Sequence, residues 1–124
     1  MDPDKLQGEL EPGEQIDVWL FAQKVPYAKL LFGSRMAAWS IIPYYVVLTD
    51  HRVLLVRANR LTRSVVGVEW AEQRDGVKIE DVERRTVVGF FAFTLRRPSD
   101  LETIRLRTSS RYVDQLDALT AQLS

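Results

Sequence analysis

The chain has 124 residues, enough for one hydrophobic core and too few for two stable ones. An apolar content of 46% is that of a globular chain, and 17 basic residues balance 17 acidic ones, which argues against general nucleic-acid affinity. The absence of cysteine excludes disulfides, thiolate zinc sites and cysteine nucleophiles.

The first residues, Met1 to Lys5, are acidic and lack the apolar run of a secretory signal. Asp4 to Leu10 reads as a short helical turn ended by Pro12-Gly13, so that residues 1–12 form an N-terminal extension. From Gln15 the pattern alternates with period two. Ile16, Val18, Leu20 and Ala22 point one way, with Asp17, Trp19, Phe21 and Gln23 opposite. This predicts a first strand, ending near Val25-Pro26, with both faces covered. Tyr27 to Pro43 does not alternate. The apolar stretch Met36 to Leu48 is broken by Pro43 and falls short of the roughly 20 residues that span a bilayer, so no transmembrane segment is expected.

Tyr44 to Leu48 and Val53 to Val56, joined by Thr49-Asp50-His51-Arg52, predict a β-hairpin. Ser64 to Trp70 follows as a fourth strand with Val66, Val68 and Trp70 on one face, and Asp75-Gly76 as a turn. Between Val77 and Val88 the parity changes: Val77 and Ile79 are in phase and Val82 is not, which calls for a bulge near Glu80-Asp81. Phe91, Phe93 and Leu95 mark a sixth strand within Gly89 to Arg97, and Ile104 and Leu106 a seventh. Ser109 or Ser110 then caps a helix over 110–123, with Tyr112, Leu116, Leu119 and Leu123 on one stripe. Strands joined by short turns pair antiparallel. The expected fold is mainly β, about seven antiparallel strands in a curled sheet or split barrel closed by a C-terminal α-helix, in one domain spanning 1–124.

With this order of elements the chain resembles bacterial pleckstrin-homology-like (PH-like) domains. Two motifs carry the resemblance: Leu10-Glu11-Pro12-Gly13-Glu14 leading into the first strand, and Tyr44 to Leu54 with its Leu-Thr-Asp-x-Arg turn. The resemblance covers about Leu10 to Leu123 and implies a non-enzymatic scaffold that binds proteins, lipids or copies of itself. Phosphoinositide-binding members place Lys and Arg around the first hairpin. Here Lys24, Lys29 and Arg35 stand widely spaced among apolar residues, a poor match.

Function is sought first in the apolar segment Tyr27 to Trp39, where Tyr27, Leu30, Leu31, Phe32, Met36 and Trp39 accompany Lys29 and Arg35. Either these side chains fill the core or they form a surface for a protein partner or a second copy; anionic lipid is the alternative ligand. Arg52, Arg57, Arg60 and Arg63 form a candidate basic patch, set against a solvated edge that discourages aggregation. His51 beside Asp50 resembles an acid–base pair, but adjacent residues in a tight turn rarely enclose a substrate. Glu80, Asp81 and Glu83 match no calcium loop, and the interleaved Lys78, Arg84 and Arg85 favour cross-strand charge pairing. No phosphate-binding loop, dinucleotide glycine pattern or nucleophile elbow is present. The sequence therefore predicts a binding module with no catalytic, cofactor-binding or metal residues, acting through protein contact or self-association. The expected location is cytoplasmic, with a peripheral position at the inner membrane surface as the alternative.

Overall fold

The computed structural model describes Leu6 and residues 8–24, 41–84, 89–98 and 103–124. Seven strands, β1 (Ile16–Lys24), β2 (Ile42–Thr49), β3 (Arg52–Ala58), β4 (Val65–Gln73), β5 (Lys78–Glu83), β6 (Phe90–Arg96) and β7 (Thr103–Ser109), form one antiparallel sheet. Their order is β4-β3-β2-β1-β7-β6-β5, and the outer strands β4 and β5 do not pair, so the sheet is not a closed barrel. A 3₁₀ turn, Arg74–Gly76, separates β4 from β5, and a second, Ser110–Tyr112, leads into the C-terminal helix α1 (Val113–Leu123).

The main core contains Leu20 and Ala22 of β1, Val46 and Leu48 of β2, and Phe91, Phe93 and Leu95 of β6. Leu116, Leu119 and Leu123 of α1 pack into the same cluster. Strands distant in the sheet order share it, so the sheet curls around this cluster and the helix caps it. Arg74 ties the arrangement together. Its guanidinium donates to Asp17 Oδ2 at 2.8 Å, to the Thr49 carbonyl at 3.0 Å and to the Gln122 side chain. Arg84 pairs with Asp117 of the helix.

A second cluster lies on the other face of β1, β2 and β3, where Phe21, Tyr45, Val47, Leu54 and Val56 are covered by Leu6. Burial on both faces explains why β2 and β3 are nearly continuous apolar runs rather than alternating ones. Each fully buried side chain of this size contributes roughly 1.5–3 kcal/mol. The expected two-sided cover of β1 is present, with one change. A register shift between Ile16 and Val18 turns Ile16 to the Phe21 side. Of the predicted N-terminal turn, Leu6 is helical and buried; residues 1–5 and 7 lie outside the described residues.

The bulge predicted near Glu80-Asp81 is present. Glu80 pairs with Thr94 and Glu83 with Ala92, leaving Asp81 and Val82 opposite one residue, with Asp81 at φ 50° and Val82 packed on the main core. The expectation for β4 needs correcting. Its register against β3 skips Glu69 and Val66 in turn, so two bulges break the alternation. Val65 and Val68 pack on the second cluster, Trp70 on the main one, and Val66 is 63% exposed.

Candidate functional site

The two motifs read from the sequence meet in space. Glu14 stands at the entry to β1 just after Gly13, whose φ of 83° is left-handed and suits glycine. The Glu14 carboxylate is buried, and Thr49 Oγ1 donates to its Oε2 at 2.6 Å. Arg52 embraces it with two bonds, Nε to Oε2 at 3.0 Å and Nη2 to Oε1 at 2.7 Å. The Thr49 hydroxyl also accepts from the backbone N–H groups of His51 and Arg52, at 3.1 and 2.8 Å, which sets the turn. Bonding to Arg52, helped by Thr49 and Glu11, holds the Glu14 carboxyl at about 2, below its ordinary 4.5, although burial opposes this. These groups are consumed by one another. They cross-link the chain and leave no free acid or base.

His51 is exposed, with Nε2 at 3.5 Å from Asp50 Oδ2. Glu80 binds Arg96 of β6 through two bonds of 2.9 and 2.8 Å, and Glu83 pairs with Arg105 of β7 at 3.2 Å. The acidic run is therefore paired across strands, though by Arg96 and Arg105 rather than by its interleaved cations. Arg85 lies outside the described residues. Among the described residues, no group of three His, Asp or Glu is arranged to hold a metal ion.

The candidate contact residues Tyr27, Lys29, Leu30, Leu31, Phe32, Arg35, Met36 and Trp39 all lie outside the described residues. The candidate basic residues are placed apart. Arg52 is bound to Glu14 at the start of β3, whereas Arg60 and Arg63 lie in the turn beyond its far end, roughly 20 Å of strand away. Arg57, Arg60 and Arg63 are all exposed. Arg63 folds over the Phe21 ring, its Cζ 4.6 Å from the ring centre.

Arg63 leads to a site that the sequence did not mark. Six described arginines, Arg52, Arg74, Arg84, Arg96, Arg97 and Arg105, each pair with a carboxylate. The other five, Arg57, Arg60, Arg63, Arg107 and Arg111, have no carboxylate ion pair among the described residues, and three of them, Arg63, Arg107 and Arg111, line one cleft of about 300 Å³. The register explains the assembly. Arg107 of β7 lies between Gln23 of β1 and Ala92 of β6, on the side of the sheet away from the main core. Its Nε donates to Gln23 Oε1 at 3.2 Å, and its guanidinium stacks on Phe90, 4.4 Å from the ring centre. Arg111 enters from the 3₁₀ turn and lies 5.5 Å from the Tyr112 ring. Arg63 enters from the β3–β4 turn, where its φ of 58° is strained for a side-chain-bearing residue and the Tyr45 hydroxyl donates to its carbonyl at 2.6 Å.

No Asp or Glu is among the described residues lining this cleft. Burial, with no carboxylate to offset it, lowers the Arg107 guanidinium below its usual range. Beneath the cleft, Thr108 Oγ1 donates to the Phe21 carbonyl at 2.7 Å and closes the short β1–β7 seam. A second cleft of similar size, by contrast, has a carboxylate in its lining. It is lined by Tyr44, Glu69, Trp70 and Arg97. There Arg97 pairs with Glu72 at 2.8 Å, and the Tyr44 phenol, raised first by burial, bonds to Glu69.

The sequence carries little sign of the first cleft. Arg107 reads as one more charge alternating with Ile104 and Leu106, and Arg111 as a polar position at a helix start. The usable signal is an arginine two residues from the end of a strand, with another four residues on. No protein-family model matches the chain, and no curated protein matches its sequence.

Proposed function

We propose that the chain is a non-enzymatic, PH-like binding module that recognises an anionic group on its partner through the Arg63–Arg107–Arg111 cleft. The PH-like reading is supported by the seven-stranded antiparallel sheet with its C-terminal helix, and by the meeting of the two motifs at Glu14, Thr49 and Arg52. The binding reading is carried by one observation: three arginines converge on a cleft with no described carboxylate, while six of the other eight described arginines each pair with one. Converging like charges cost stability unless an anion offsets them. The non-enzymatic reading is supported by the fate of the acid–base groups, since Glu14 is spent on Arg52 and His51 stands in open solvent.

The test is thermal unfolding in a series of anions at constant ionic strength. Multivalent anions raise Tm of the wild type and leave the triple variant Arg63→Gln/Arg107→Gln/Arg111→Gln unmoved. Equal shifts in both proteins, or none in either, would overturn the proposal.

A further inference from the structure

We infer that the anion held in this cleft is a phosphate monoester. The inference rests on the reading of the cleft as an anion site and adds the class of anion. A carboxylate presents two oxygens and one negative charge, and one guanidinium fork already matches it. The cleft offers three forks from three separate elements: the β3–β4 turn, β7 and the 3₁₀ turn. A phosphate monoester presents three terminal oxygens and a charge near −2 at neutral pH, which suits three forks where a carboxylate leaves donors idle.

The guanidiniums are held in advance. Each guanidinium carbon lies over an aromatic ring, that of Arg63 over Phe21 at 4.6 Å, that of Arg107 over Phe90 at 4.4 Å and that of Arg111 over Tyr112 at 5.5 Å from the ring centre, and these contacts restrain where the charge sits. The strained turn at Arg63 is fixed by the Tyr45 hydroxyl. A volume of about 300 Å³ is at the small end of ligand pockets and holds a phosphate together with the group it is attached to. Arg107 is desolvated, and a bound dianion restores the stabilisation of its charge that burial removes. A lipid headgroup and a soluble metabolite both supply this chemistry.

Calorimetry with glycerol 3-phosphate, dimethyl phosphate and acetate separates the classes. The monoester binds at least about tenfold more tightly than the diester or the carboxylate, and Arg107→Lys and Arg111→Gln each weaken it by about tenfold with Tm preserved. Arg107→Lys keeps the charge and loses the fork, so it tests recognition without the risk of unfolding that a truncation carries. Vesicles containing phosphatidic acid are compared with vesicles of equal phosphatidylglycerol content. Preferential capture by phosphatidic acid, well beyond the affinity for glycerol 3-phosphate, identifies a lipid source, and the reverse identifies a soluble one. Equal affinity for all three small anions would overturn the phosphate assignment while leaving an anion site. No binding of any, or unchanged binding by Arg63→Gln/Arg107→Gln/Arg111→Gln, would overturn both.

Discussion

Replacing Glu14 by Gln keeps the shape of the buried side chain and removes its charge, leaving Arg52 facing a neutral amide. The native carboxyl is held at about 2 against an ordinary 4.5. At about 1.4 kcal/mol per pKa unit this sets an upper bound near 3 kcal/mol on the stabilisation at neutral pH. The Arg52 side chain is 19% exposed, so solvent screens part of that, and about 2 kcal/mol is expected. For a chain of this size the loss corresponds to a fall in Tm of about 6–10 °C. The pH dependence has a definite sign. Because the folded pKa lies below the unfolded one, the contribution is whole above about pH 4.5 and is lost as the pH falls toward 2. Calorimetric Tm values for wild type and Glu14→Gln, taken from pH 7 to pH 2.5, should therefore start well separated and converge in acid. A gap below about 2 °C at pH 7, or one that stays constant into acid, would refute the assignment of Glu14 as a charged cross-link.

Arg107→Met is expected to leave Tm no lower than the wild type, since it removes a desolvated charge with no described carboxylate partner, whereas Arg52→Met costs about 3 kcal/mol by stranding Glu14. Denaturant unfolding of the two variants checks this contrast. Leu119→Ala, at a fully buried position of α1, should cost about 2–5 kcal/mol in the same assay. Val66→Lys should be nearly neutral because the bulged residue faces solvent, while Val68→Lys, packed on the second cluster, should cost several times more. Equal effects would contradict the bulged register of β4.

Much of the fold was legible because strands buried on one face write their period into the sequence. Phe91, Phe93 and Leu95 are inward on β6, and Leu116, Leu119 and Leu123 form the inner stripe of α1, as their spacing predicts. Even the bulge of β5 showed, because it moved Val82 to the other parity. The bulges of β4 did not show. They redirect Val65, Val66 and Val68 through backbone register alone, and a run of similar residues hides such a change. The link from Glu14 to Arg52 spans 38 positions and leaves no local trace, although each motif was visible by itself. The arginine cleft was least legible. Arg63, Arg107 and Arg111 come together only when β1 pairs with β7 and the 3₁₀ turn folds over the seam. What distinguishes them from the other described arginines is that they share one cleft without a described carboxylate, which is a property of tertiary placement.

The central claim is that these three guanidiniums receive one anion together. The most direct measurement is a two-dimensional NMR titration that follows the side-chain Nε–Hε signals of every arginine as glycerol 3-phosphate is added. The account predicts that Arg63, Arg107 and Arg111 shift in parallel along one saturating curve, while Arg52, Arg74 and Arg96, already neutralised by carboxylates, stay in place. Shifts spread evenly over all arginines, or a curve that never saturates, would contradict it.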